Sequence, residues 1–383
     1  MQVGIDITAL IYGRGVSRYT SNLVRGLLTY RPDLELKLFG YNRGQIDLLR
    51  SGVSNLRPAG GRRFKVKYQK IPVNFQAWLW QIGLNSVTKQ LQPLDVFHSW
   101  DWLQPPDKNL PLVSTIHDLA ILKYPEVVKP EVMNAHRRSW EILKKRQAEI
   151  IAVSEATRQD IINLLQFPPE KVHLIYEALP IENMAVAQNM TEEIFATAQT
   201  ELNLDEANGK PFLLFVGNRE PRKNLSRLIE AWAPLAPYID LLIAGLADGD
   251  DSAQLANQFG TSLRFLGRVT DEQLAVLYTL AEAFVYPSLD EGFGLPILES
   301  FYYGTPVITS NLSAMKEIAG DTAVLVDPLN LDSIYNGIVT LLNETPAEQH
   351  LRAQKMILRQ QHFSWETAAR QTAQIYELAS QKK

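Results

Sequence analysis

The sequence predicts an α/β chain of two Rossmann-like, doubly wound domains. At 383 residues the chain is long enough for two domains of ordinary size. It opens on an apolar, β-branched run, QVGIDITAL, followed by a glycine-containing loop, a helix with Leu23, Leu27 and Leu28 at helical spacing, and a second apolar run, LELKLFGYN. Strand, glycine loop, helix, strand is half of a doubly wound sheet. The same architecture returns at KPFLLFVGNREPRKNLSRLIEAW, where the second domain begins. The expected boundaries are 1–180 for the N-terminal domain, 181–363 for the C-terminal domain and 364–383 for a final amphipathic helix.

Composition narrows the class. Hydrophobic content of 46% and charged content of 21% are those of a globular protein. With no cysteine there is no disulfide, no thiolate metal site and no cysteine nucleophile. No run reaches the ~18 apolar residues of a membrane span, and the N-terminus lacks the charged-then-apolar order of a signal peptide. A soluble, cytoplasmic protein is therefore expected. The net charge of −4 is unevenly placed, because residues 1–180 carry 24 Lys/Arg against 16 Asp/Glu and the remainder 14 against 26. A basic half joined to an acidic half suggests two domains with different partners; no nucleic-acid partner is expected.

In the N-terminal half the first loop reads Gly13-x-Gly15-x-x-Arg18, an incomplete dinucleotide fingerprint. A nicotinamide enzyme would carry an acid at the end of the second strand, which here is Gly40-Tyr41-Asn42, so that class is set aside. Residues 58–72 are basic, glycine-rich and loop-like, with Arg62, Arg63, Lys65, Lys67 and Lys70 free of any intervening acid. A helix over 73–91 follows, and its Phe75, Trp78 and Ile82 are expected to pack on the N-terminal sheet. Strands then end near His98, a structural or acceptor-side residue, and at His117-Asp118. A histidine at the carboxyl end of a parallel strand sits where α/β folds place ligands. Ser154 caps a further helix. Residues 181–210 read as a linker with one or two helices.

In the C-terminal half Arg219, Arg222 and Lys223 crowd the loop after the first strand. Cations there, just before a helix, suit a diphosphate. The acidic loop at Asp248-Gly249-Asp250 is either a metal-holding D-x-D or a turn. The turn is preferred, since Lys and Arg already serve the anion. The most informative stretch is SLDEGFGLPILESFYYGTPV, from Ser288 to Val307. A buried strand leads into Asp290 and Glu291, then a Gly-Phe-Gly-Leu loop, and Pro296 opens a helix to Tyr303 with Gly304 as its cap. No side-chain cap precedes Pro296, so the loop and helix start form an anion site. Glu291 and Glu299 bracket it, eight positions apart. Acids would repel a phosphate unless they point past it to hydroxyls on either flank. A nucleotide-sugar has that shape.

Glu291 to Glu299, with FGLP between them and GTPVI after, resembles the E-x7-E motif of family 4 glycosyltransferases, the group 1 enzymes. The resemblance extends over nearly the whole chain. It implies the GT-B fold, two Rossmann-like domains facing a cleft, with the final helix returning to the N-terminal domain. It also implies roles for residues. Gly15, with Arg18, matches the loop that lines the donor's phosphates and sugar. His117, in a T-x-H-D setting, is directed at the donor sugar. The PRKN run puts Lys223 and Arg222 on the diphosphate, with Arg219 in reserve, because Asn218 stands where the family often has arginine. Val269 lies in a turn by the nucleobase. Phe293, Gly294 and Leu295 bring backbone N–H groups to the diphosphate, Glu291 holds sugar hydroxyls and Glu299 the ribose. A second departure is Glu177-Ala178, where the family usually has Asn-Gly near the hinge.

The expected activity is retaining transfer of a hexose from a nucleoside-diphosphate sugar, UDP-glucose ahead of GDP-mannose. The acceptor is a hydroxyl of a lipid-linked or polysaccharide intermediate. No cofactor or metal is needed, and a β-phosphate oxygen takes the acceptor's proton. The rival is a nucleotide-sugar-binding protein without catalysis. The basic stretch from Arg62 to Lys70 is either a peripheral dock on the anionic inner membrane face or a solvated loop.

Overall fold

The computed structural model describes residues 1–13, 15–56, 64–204, 210–245 and 257–381. Arg62, Arg63 and the Asp248-Gly249-Asp250 loop lie outside the described residues. The chain divides into two compact units, 1–178 with 364–383, and 179–363. Among the described residues no helix is long and apolar enough to cross a membrane.

Seven parallel strands form the N-terminal sheet among the described residues: β1 Gln2–Asp6, β2 Glu35–Tyr41, β3 Lys65–Gln69, β4 Val96–Trp100, β5 Leu112–Ile116, β6 Glu149–Ala152 and β7 Val172–Leu174. Their order is β3-β2-β1-β4-β5-β6-β7. The order reverses between β1 and β4, which opens a crevice at the carboxyl ends of those strands. β4 and β5 are buried at every position, as expected for strands covered on both faces by helices.

The final helix, Trp365–Ser380, belongs to this unit and packs on the helix Val16–Tyr30 and on β4, β5 and β6. Ser364 caps it, accepting from the Thr367 N–H at 3.1 Å. Arg31 pairs with Glu377 at 2.7 Å, and Tyr376 reaches His98 Nδ1 at 2.7 Å. The other His98 nitrogen lies 2.9 Å from Thr115 Oγ1. Burial pushes the His98 pKa down to about 3, so this histidine is a neutral structural strut and no acceptor ligand.

Two expectations for this unit are corrected. Lys65 and Lys67 stand in the edge strand β3, paired in parallel with β2, rather than in a loop. Edge strands commonly carry lysine, which discourages pairing with another chain, and no apolar run marks them in sequence. The segment 73–91 forms two helices, Val73–Gln81 and Val87–Leu91. The buried face of the first belongs to Gln76 and Trp80, whose indole stacks on Phe39 at 6.1 Å. Phe75, Trp78 and Ile82 lie on the opposite, exposed face. Apolar residues occupy both faces of this helix, so their spacing does not reveal which one is buried.

The C-terminal sheet has six parallel strands among the described residues: β8 Phe212–Val216, β9 Asp240–Ala244, β10 Leu263–Gly267, β11 Ala283–Tyr286, β12 Val307–Ser310 and β13 Val324–Val326. Their order, β10-β9-β8-β11-β12-β13, reverses between β8 and β11. The helices Ile181–Asn189 and Glu192–Glu201 pack on the helix Asp271–Leu280 and are part of this unit, not a linker.

Candidate active site

The loops after β8 and β11 flank the reversal point of the C-terminal sheet and are stitched together by backbone contacts. The Leu289 N–H donates to the Arg222 carbonyl at 2.7 Å. Asn224, in a left-handed conformation, donates its amide to the carbonyls of Pro287 at 3.1 Å and Pro328 at 2.6 Å. This brings Arg222, Lys223 and Glu291 into one cluster. Arg222 donates to one Glu291 carboxylate oxygen, to Glu220 Oε2 at 2.8 Å and to the Asp290 carbonyl at 3.0 Å. The other Glu291 oxygen accepts from Tyr286 at 2.5 Å and Ser288 at 3.3 Å, with Lys223 Nζ 3.9 Å away. Burial would raise the Glu291 pKa, but the charges of Lys223 and Arg222 outweigh it and the carboxyl is held below its ordinary value.

The two cations are held differently. Arg222 is clamped by three acceptors. Lys223 has a 3.4 Å contact to the Tyr286 hydroxyl and the long approach to Glu291. Its side chain folds back over Gly217, where an added Cβ would stand 2.7 Å from Nζ and 2.8 Å from Cδ. Lys223 thus presents an ammonium with donors to spare, at a strand end where an anion would sit.

The helix Leu295–Tyr302 begins with Leu295, so Pro296 is its second residue rather than its first. Gly294, at φ 104°, is its N-cap and supplies no side-chain acceptor. The Phe293 ring is buried edge-on against Phe363 at 5.7 Å, which leaves only its backbone for a ligand. Glu299 is also buried. Its oxygens accept from Tyr278 Oη and Asn183 Nδ2, each at 3.3 Å. Arg219 is half-buried in the loop after β8, and Val269 is half-buried between β10 and the helix capped by Thr270.

The N-terminal unit carries its own polar cluster. Gly15 caps the helix Val16–Tyr30 without a side-chain bond. His117 follows β5, with Nδ1 3.2 Å from Glu177. Burial lowers the pKa of this ring, but the hydrogen bond and charge of Glu177 more than offset it, so it is raised above 6.5. Nε2 is buried and has no protein partner. Asp101 directly follows β4 and lies 3.2 Å from Nδ1 of His136, whose pKa rises above its ordinary value because the partnership with Asp101 outweighs burial. Beside them the exposed Tyr12 meets Trp102 edge to face at 6.5 Å.

Sequence reasoning missed Glu177, Asp101 and His136 as site residues. Glu177 was visible as a departure from the family pattern. Asp101 stands at a strand end, as His117 does. His136 lies within the helix Pro130–Lys145 and has no local signal. Among the described residues no group of three or more His, Cys, Asp or Glu side chains is gathered as metal ligands would be.

Two family models match the chain, "Glycosyltransferase Family 4" over residues 13–183 and "Glycosyl transferases group 1" over 199–356. The chain is similar to the O-antigen chain mannosyltransferase B of Escherichia coli, at 28% identity over 95% of this chain and 96% of the relative. It is 27% identical to the MMP alpha-(1->4)-mannosyltransferase of Mycolicibacterium hassiacum, over 72% of this chain and 67% of the relative. A 29% identity to the phosphatidyl-myo-inositol mannosyltransferase of Mycobacterium tuberculosis covers 52% of this chain and 55% of the relative. Among solved structures, Anabaena HepE in complex with UDP and glucose superposes with a TM-score of 0.69 at 18% identity, covering 98% of both chains. Sucrose-phosphate synthase of Thermosynechococcus elongatus gives 0.68 at 20% identity, covering 100% of both.

Proposed function

As a member of the family 4, group 1 glycosyltransferases with the GT-B fold, this chain is a sugar-transferring enzyme, and we propose that it moves a mannose, with retention, from a nucleoside-diphosphate donor to a hydroxyl of a lipid-linked or polysaccharide acceptor. Family membership sets aside a binding protein without catalysis. Mannose moves ahead of the glucose favoured by the sequence alone because the three relatives named above are mannosyltransferases. The cluster of Lys223, Arg222 and Glu291 at the reversal point of the C-terminal sheet carries the mechanistic proposal.

In that mechanism the anomeric C–O bond to the diphosphate breaks, and negative charge grows on the leaving group. Lys223 stabilises this charge, with the backbone N–H groups near Gly294 and Leu295. Arg222 aims Glu291, whose carboxylate remains ionised and accepts from sugar hydroxyls. Glu299 accepts from the ribose. The acceptor oxygen bonds to the anomeric carbon, and its proton passes to the departing β-phosphate oxygen. Glu291 is neutralised by two cations and is a poor nucleophile, which favours this one-step route over a covalent intermediate. In the N-terminal unit His117 offers a protonated Nε2 to a ligand oxygen, while Asp101 and His136 offer a polar pair for acceptor hydroxyls.

The test is a thermal-shift and hydrolysis panel of GDP-mannose, UDP-glucose and other nucleotide-sugars. GDP-mannose should stabilise the protein and be cleaved slowly, with EDTA making no difference. Stabilisation and cleavage confined to UDP-glucose would overturn the choice of mannose. Activity abolished by EDTA and restored by a divalent ion would overturn metal independence.

A further inference from the structure

We propose that the helix Val73–Gln81 and the adjoining edge strand β3 form a docking face for an anionic lipid bilayer. Phe75, Trp78 and Ile82 enter the interface, and Lys67 and Lys70 meet lipid phosphates. The biological purpose rests on the proposal of a lipid-linked acceptor, but the face itself stands on independent observations.

The first observation is an exposed apolar stripe. Phe75 is 50% exposed, Trp78 49%, Ile82 48% and Leu84 54%. Positions 75, 78 and 82 fall on one side of a helix. The Phe75 and Trp78 rings stack at 5.3 Å, presenting one continuous aromatic surface. A contiguous patch of this kind marks an interaction site, unlike scattered single hydrophobics.

The stripe is also held firmly. On the other face Trp80 is buried against Phe39 and Tyr41, and its indole N–H donates to the Asn85 carbonyl at 3.0 Å. Asn85 exchanges amide hydrogen bonds with Gln69 of β3, at 3.1 and 2.7 Å, and donates to Gln76 at 2.6 Å. The end of the basic strand and the turn after the apolar helix are therefore fastened together.

The charge pattern identifies the occupant. Lys65, Lys67 and Lys70 are exposed. Lys65 pairs with Glu35 at 3.0 Å, whereas among the described residues Lys67 and Lys70 have no carboxylate within ion-pair distance. A second copy of this chain would set the patch against itself, lysine facing lysine, which disfavours a twofold dimer. An anionic bilayer complements both features, since aromatic rings favour the interface and each lysine near its surface strengthens binding roughly fivefold.

Sedimentation of the full chain with vesicles tests this, in the absence of donor and acceptor. Vesicles of phosphatidylcholine with phosphatidylglycerol should carry the protein down, and pure phosphatidylcholine should carry far less. Binding should fall several-fold between about 0.1 M and 1 M salt, where the screening length shrinks from ~10 to ~3 Å. The double substitution Phe75→Ser, Trp78→Ser should weaken binding about tenfold or more, with melting temperature and donor hydrolysis unchanged. Lys67→Gln with Lys70→Gln should reduce binding further and flatten the salt dependence. A wild type that ignores anionic vesicles at low salt overturns the proposal, as does wild-type binding in the aromatic double variant. Concentration-dependent dimerisation lost in that variant, without vesicle binding, would assign the face to self-association instead. Because no sugar chemistry enters the measurement, a failed donor panel leaves its outcome intact, and failed vesicle binding leaves the transferase proposal intact.

Discussion

At the scale of single residues, the division of labour between neighbouring cations is the most consequential feature. Arg222 holds Glu291, Glu220 and the Asp290 carbonyl, while Lys223 keeps donors available. Replacing Lys223 with Ala should lower kcat about 10²–10³-fold, the usual effect of losing one transition-state donor, with the fold preserved. Steady-state kinetics and a thermal melt measure both, and wild-type turnover would remove Lys223 from the mechanism. His117 supports a second prediction. Its raised pKa means that folding favours the protonated ring. The resulting stabilisation is fully present below the unfolded value near 6.5 and is lost as pH rises through the raised folded value. In Glu177→Gln the His117 pKa should fall, and the stability difference from wild type should be largest at acid pH and shrink as pH rises. An NMR titration showing an unchanged His117 would refute Glu177 as the cause.

At the scale of elements, the helix Leu295–Tyr302 shows which local signals were legible. The glycine before it and the absence of a capping side chain are written in the sequence, and the structure starts and ends the helix one residue earlier than the sequence predicts. Gly294 sits at φ 104°, a conformation that costs a side-chain-bearing residue roughly 1–3 kcal/mol. Gly294→Ala should therefore lower the melting temperature and weaken donor stabilisation together, because it tilts the N–H groups proposed to meet the diphosphate. A lowered melting temperature with undiminished donor binding would separate the helix start from the donor. The edge strand β3 and the exposed aromatic helix beside it were not legible. A strand announces itself by apolar alternation, which a lysine-rich edge lacks. A helix that is apolar on both faces does not say which one is buried.

At the scale of the whole molecule, the final helix closes the N-terminal unit although it comes last in the chain. It covers β4, β5 and β6, and Tyr376 satisfies a nitrogen of a fully buried histidine. Deleting residues 364–383 should uncover this surface and leave His98 Nδ1 without its partner, a loss of several kcal/mol. We expect the truncated protein to lose its cooperative melt and bind a hydrophobic dye, while Tyr376→Phe alone should cost about 1–3 kcal/mol. A truncated chain that melts as wild type would show that the helix is dispensable.

The alternation of strands and helices, and with it two parallel sheets, is legible in the amino-acid order, because strands buried on both faces are apolar throughout. The sequence also marked Glu291 and Glu299, whose spacing around one loop is a local property, and Lys223 in the short basic run after β8. The tertiary structure decided which of them touch. Arg222 meets Glu291 across 69 positions of chain, and Glu299 accepts from Tyr278 and from Asn183, which is 116 positions away. It likewise decided the partners of His117 and His136, which come from distant strand ends and helices. Pairing of that kind depends on the order of strands in the sheet, and no short window of sequence contains it.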